Sequence, residues 1–355
     1  MRATAILLVV YWHNADALGR FVPGLPRGPV IDGVDLFFVL SGYLIGGILL
    51  KYAAMDGVPL WKRAIDFWQR RWLRTLPNYY LFLIINILLV YSGLGNGLLN
   101  HNTWGYFFFL QNVWKPVDLF FWESWSLVVE EWYYLLFPIG FFGTLALVRW
   151  KPRHTFLLVT LVLIAISTVL RNAMVGSIGS VFELEEGVRK LVITRLDTLG
   201  WGMLAAWCAQ QFPQAWHRFR VPLLLIGILG MFVNASIYGN MHLRYSCTIY
   251  FTAGAIAMAA LLPALSTWRV APAWGRPIVF TSIVSYALYL VHQPVRVLYA
   301  WVYWGRSVAE GVIAWIAYWV ICFLLAWLVY RFWEKRFMDL RDRIGTKLMR
   351  SGSAA

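Results

Sequence analysis

Residues Gly33–Lys51, GVDLFFVLSGYLIGGILLK, decide the fold: the run is apolar apart from one carboxylate near its start and one cation at its end. As a helix it covers the roughly 30 Å hydrocarbon core of a bilayer, and it lacks the polar stripe of a surface helix. Working outward, similar runs recur along the whole chain. Ten candidate spans are read, at residues 1–18, 33–51, 77–94, 126–148, 155–171, 195–211, 221–238, 247–266, 278–304 and 310–332. The eighth and ninth are parted by a basic, proline-containing break, TWRVAPAWGRP. The ninth is expected to kink at Pro294. The piece Trp104–Trp114 is too short to span and reads as re-entrant or interfacial. The fold class expected is an all-α polytopic membrane protein with about ten transmembrane helices.

Composition agrees. Of 355 residues, 60% are apolar and 14% charged, with 21 Trp, 18 Tyr and 23 Phe, and the mean hydropathy is +0.62. A soluble domain carries about 25% charged residues. The balance excludes a soluble enzyme, a disordered scaffold, a collagen-like fibre and a disulfide-stapled secreted domain. A transmembrane barrel would show dyad alternation, which is absent. The net charge of +14 would suggest nucleic acid in a soluble chain. Here the basic residues sit between apolar runs, so they set orientation and no nucleic acid is expected. With both termini cytoplasmic, the inner segments hold 21 Lys and Arg and the outer segments seven. Arg171, Arg195 and Arg296 lie at or inside span ends.

Met1–Gly19 continues into His13, Asn14 and Asp16 without a cleavage site, so it reads as a first membrane helix rather than a signal peptide. Cys208, Cys247 and Cys322 show no paired spacing and read as small buried hydrophobes. His101, His154, His217 and His242 fall in loops without metal-ligand spacing, and no metal is expected. No internal repeat and no long linker divides the chain. Residues 1–335 are expected to form one membrane-embedded unit and 336–355 a basic cytoplasmic tail.

Ionisable groups inside spans are costly and each is a functional hypothesis. Arg2 and His13 fall within about 20° of one helix face, about 16 Å apart along the axis. Either they bracket a site, or Arg2 sets topology and His13 is a hydrogen-bonded bundle residue. Asp35 enters the second span close in depth to His13. It either fixes the imidazole tautomer or caps the helix start. In ESWSLVVEEWYYLLFP, Ser126 and Glu130 share a face; of the adjacent acids Glu130 and Glu131, Glu130 is taken as the inward one. The linker WKRAIDFWQRRWLRTLPNYY carries Lys62, Arg63, Arg70, Arg71 and Arg74 at helical spacing. That pattern suits anionic lipid head groups or the phosphates of a cytoplasmic anionic cofactor. His292 in SYALYLVHQPV lies beside Pro294, which frees the Leu290 carbonyl; it is either a site residue or a satisfied core histidine. Arg195 and Asp197 suit a structural ion pair.

Arg2 with His13, GVDLFFVLSGYLI, RRWLRTLPNYY, SWSLVVEEWYYLLFP, TRLDTLGWGML and SYALYLVHQPV occur in one order across the chain. Together they resemble the integral-membrane acyltransferase family 3, bacterial O-acyltransferases that modify surface glycans. The resemblance implies a cytoplasmic acyl-CoA donor, acetyl-CoA by preference, and a hydroxyl acceptor on a glycan or glycolipid. It implies a place in the bacterial inner membrane. Its essential Arg and His fall on Arg2 and His13, its acids on Asp35 and on Glu130 or Glu131, and its basic pair on Arg71 and Arg74. The chain begins almost at Arg2 and carries no added soluble hydrolase-like domain, so a second extracytoplasmic transfer step within it is not expected.

These roles combine into direct transfer through a membrane cavity. Arg2, Arg71 and Arg74 hold CoA phosphates. His13, oriented by Asp35 or Glu130, takes the proton of the attacking hydroxyl; a variant has the imidazole carry the acyl group. Ser41, Glu131, Arg195, Asp197 and His292 are expected to contact substrate. An O-antigen or lipopolysaccharide sugar is the preferred acceptor, with exopolysaccharide, a lipo-oligosaccharide signal and a macrolide left open. The rival class is a proton-coupled transporter or flippase, which uses buried His and carboxylates as a relay; inverted repeats would support it and none is visible.

Overall fold

The computed structural model describes residues 1–19, 31–116, 120–148, 150–239, 242–268, 272–302 and 307–350, and among them it is helical without a strand. The principal helices are α1 (Arg2–Gly19), α2 (Gly33–Ala53), α3 (Leu60–Tyr91), α4 (Trp125–Val148), α5 (Pro152–Ala173), α6 (Leu196–Gln211), α7 (Arg220–Ile237), α8 (Tyr250–Ala259), α9 (Pro272–Val302), α10 (Val308–Val329) and α11 (Lys335–Arg350). Eight helical stretches are long and apolar enough to cross a membrane. They coincide with the second to fifth and seventh to tenth expected spans. The first and sixth are helical but fall outside that set. α6 has only 16 residues, and α1 carries Arg2, His13, Asn14 and Asp16, which dilute its apolar character. Both are nonetheless packed within the bundle, α1 on α2 and α9 and α6 along α2.

The α2–α6 contact is backbone to backbone. A Cβ on Gly42 would lie 2.1 Å from the Leu199 carbonyl oxygen, and one on Gly202 2.1 Å from the Val39 carbonyl oxygen. Small residues permit this approach between helices in a membrane, where close packing rather than apolar burial drives association. The start of α2 is fixed by Asp32, whose side chain accepts from the Val34 amide (2.8 Å) and the Asp35 amide (3.5 Å).

Three of the expected spans take a more detailed form. The basic linker from Trp61 and the third span are one helix, α3, which runs through Pro77. The eighth span is broken into Leu243–Thr248, α8 and Leu262–Thr267. The tenth passes through a π-helical turn, Tyr330–Glu334, into α11, which packs along α3. The stretch Trp104–Trp114 forms only short helical turns. Its carbonyls are satisfied from the bundle: Tyr79, Tyr80 and Trp132 donate to the oxygens of Tyr106 (2.8 Å), Phe107 (2.9 Å) and Phe109 (2.7 Å).

The two ends of the chain meet at one end of the bundle. Asn78 on α3 donates to Glu334 at the α10–α11 join (2.8 Å), Arg70 approaches Asp342 (3.9 Å), and Arg2 lines a cavity with Arg71 and Arg74. Arg20, Arg27, Arg149, Arg269 and Arg306, counted in the charge asymmetry, lie outside the described residues.

Candidate active site

At that shared end α1, α2, α3, α4 and α9 border an open chamber with about 630 Å³ of free space, part of it open solvent. Arg2, Arg71, Arg74, Ser41, Ser126 and Glu130 are in its wall, with Ser285, Tyr286 and Tyr289 from α9. The Arg71 guanidinium lies over the Tyr134 ring at 4.0 Å, which fixes its plane. The same chamber wall residues Arg2, Ser41, Arg71 and Arg74 also border a groove that continues along α2 to Lys51. Three guanidiniums with a single chamber carboxylate make this an anion-binding end, suited to phosphate oxygens. Glu130 is the acid that faces the chamber, whereas Glu131 accepts a hydrogen bond from Thr75 (2.7 Å) on α3. Ser126 and Glu130 share the chamber wall, as their spacing of four requires.

A second chamber, of about 1540 Å³ of free space, contains His13. Val34 borders both chambers, so one side chain's thickness separates them. Trp12, Trp122, Tyr238 and Tyr250 supply aromatic walls, and Asp32, Glu185 and Arg189 the charge. The indole N–H groups of Trp12 and Trp122 are buried and have no hydrogen-bond partner among the described residues.

His13 Nδ1 and His292 Nε2 are 2.7 Å apart, with ring planes at 10°. Arg296, one turn beyond His292 on α9, donates to the His13 carbonyl (2.7 Å), and Tyr318 on α10 donates to the His292 carbonyl (3.1 Å). Together they lock α1 against α9 at the imidazole. His292 is fully buried. The partner it meets in this structure is His13.

Asp35 is ion-paired with Arg195, and among the described residues no hydrogen bond joins either Asp35 or Glu130 to the imidazole. Arg195 and Asp197 do not pair with each other. Two residues apart on a helix they project about 200° apart, and each finds a partner elsewhere. Asp197 takes both Nη groups of Arg171 (3.1 and 2.8 Å), and Thr252 completes the group. Arg195 pairs with Asp35 and stacks on Phe251 at 4.0 Å. Arg171, Arg195 and Asp197 are fully buried, line neither chamber, and tie α2, α5 and α6 together.

Sequence reasoning missed a strap at the His13 end. Arg189 pairs with Asp32 and with Glu185 (2.6 Å), and Tyr238 donates to Glu185 (2.5 Å). Burial pushes the Asp32 carboxyl up, but the Arg189 charge and the Val34 amide outweigh it and hold it below the usual carboxylate range. Lys190 lies over Trp122 at 3.9 Å, and burial lowers its ammonium from the ordinary lysine value although Glu186 opposes this. Glu123, buried with one carboxylate oxygen unpartnered, was missed too, although it stood in the quoted motif. A charge inside an apolar run was the available signal for Arg171. Among the described residues no group of three His, Cys, Asp or Glu is placed to hold a metal.

Residues 1–331 match the profile of acyltransferase family 3, described as an acyltransferase domain, and the chain belongs to that family. Among curated relatives, the chain is similar to O-acetyltransferase OatA of Staphylococcus aureus strain NCTC 8325, with 28% identity over 331 residues covering 84% of this chain and 50% of the relative. OatA of Staphylococcus aureus strain COL matches with the same identity and coverage, 28%, 84% and 50%. The chain spans about half the length of the curated relatives it matches. No solved structure matches it.

Proposed function

We propose that the chain is an O-acyltransferase of the bacterial inner membrane. It moves an acyl group, acetyl by preference, from cytoplasmic acyl-CoA to a hydroxyl of a cell-surface glycan or glycolipid such as an O-antigen or lipopolysaccharide sugar. The observation that carries this reading is the juxtaposition of an arginine-lined chamber and a His13-lined chamber across Val34. O-acetyltransferases at 28% identity support acetyl as the group. The arginine end is cytoplasmic in this reading, both termini lie there, and residues 336–355 are its basic cytoplasmic tail beyond the membrane unit 1–335.

Arg2, Arg71 and Arg74 hold the phosphates of acyl-CoA, and the pantetheine arm runs past Ser41, Ser126 and Glu130 toward Val34. His13 Nε2 takes the proton of the acceptor hydroxyl as its oxygen attacks the thioester carbonyl. The C–O bond forms, the C–S bond breaks, and the leaving thiolate takes that proton from His13 to depart as CoA thiol. The aromatic walls of the outer chamber suit a sugar, whose C–H faces stack on rings.

Free-thiol release from acetyl-CoA by the purified protein tests the reading. Release is expected only with cell-envelope glycan extract present. Arg71→Gln and Arg74→Gln are each expected to raise KM for acetyl-CoA roughly 10–100-fold, the worth of a charge-assisted hydrogen bond, with kcat little changed. No release from acetyl-CoA by folded protein, or unaltered KM in both variants, contradicts the donor assignment.

A further inference from the structure

We propose that His292 is a positioning residue that sets the tautomer of His13, in place of the carboxylate that usually orients a catalytic imidazole. The inference rests on the reading of His13 as the base. Its evidence is the buried contact between the two rings. At 2.7 Å, His13 Nδ1 and His292 Nε2 share one proton, and the question is which ring carries it. His292 Nδ1 is buried with no hydrogen-bond partner among the described residues, and a helical side chain folds back over the preceding turn, which here presents the carbonyls of Leu288 and Tyr289. Carbonyl oxygens only accept, so the tautomer that avoids opposed lone pairs bears its proton on Nδ1. His292 Nε2 is then a lone pair and must accept from His13 Nδ1–H. That leaves the lone pair of His13 on Nε2, the nitrogen free to act in the outer chamber. The opposite arrangement would put a proton on His13 Nε2 and disable it as a base.

The surroundings hold this geometry from both sides. Arg296 fixes the His13 backbone and Tyr318 the His292 backbone. Asp35 is engaged with Arg195 and Asp32 with Arg189, and Glu123, buried beside Trp122 with one oxygen unpartnered, makes no hydrogen bond to either imidazole. A neutral acceptor also spares the bilayer interior a further buried charge.

The test compares three variants by glycan-dependent thiol release, with a thermal melt as a check on folding. His292→Leu removes the acceptor, and kcat is expected to fall by about 10²-fold with KM for acetyl-CoA unchanged. His292→Gln restores an acceptor oxygen within reach of His13 Nδ1 and is expected to recover roughly tenfold, one hydrogen bond's worth. His292→Asn is too short and is expected to behave as the leucine variant. If the leucine variant does not fold, the difference between glutamine and asparagine carries the test. Equal kcat in the glutamine and asparagine variants, or wild-type kcat in the leucine variant, overturns the inference while leaving His13 as base. A His13→Ala variant that retains turnover overturns the base reading and this inference with it.

Discussion

His13→Ala is expected to lower kcat by about 10²–10⁴-fold, the contribution of a positioned general base, while KM for acetyl-CoA stays near wild type. The size of the effect follows from the lack of a substitute. In the outer chamber the two carboxylates, Asp32 and Glu185, are both taken by Arg189. The KM expectation follows from distance, because Arg2 sits about 16 Å down the helix axis from His13. Alanine also leaves His292 Nε2 without its partner, a loss of about 1–3 kcal/mol if the site cannot adjust. His13→Gln separates the two effects, since its amide can still meet His292 but cannot serve as a base. Both variants are expected to be nearly silent in thiol release. Turnover above about a tenth of wild type in folded His13→Gln would remove His13 from the proton transfer.

Asp197→Leu is expected to abolish recovery of folded protein, and Arg171→Met to do the same. Each strands the other partner fully buried among spans, where breaking an ion pair costs about 3–5 kcal/mol. That is comparable with the whole stability of a domain, about 5–15 kcal/mol. The double variant Arg171→Met/Asp197→Leu replaces both charges by apolar groups of similar volume and is expected to regain a wild-type melting temperature in detergent. Recovery by the double variant separates a brace from a binding group. A singly substituted Asp197→Leu protein that melts normally but no longer takes up acceptor would restore the substrate role first expected for that residue.

Much of this architecture is legible in the sequence because apolar runs announce helices in a bilayer without reference to their neighbours. The pairings are less legible because they join residues far apart. His13 and His292 are 279 residues apart, and nothing in either motif specifies the other. Helical spacing did carry information that went unused. Two residues apart, Arg195 and Asp197 do not share a face, but nothing in the period names Arg171 and Asp35 as their partners. The break after α8 falls just before Pro263, a local signal that was there to read, whereas α3 continues through Pro77 despite the same signal. The chamber wall at Glu130 was read from adjacency: of two neighbouring acids one must turn away, and Glu131 is the one held by Thr75.

The central claim is transfer across the membrane from the arginine end to the His13 end. It is tested most directly in oriented proteoliposomes, with radiolabelled acetyl-CoA confined to the side of the Arg71 end and glycan acceptor confined to the other. The account predicts label on the acceptor of the opposite compartment, absent with His13→Ala. Label found only when donor and acceptor share a compartment would contradict it.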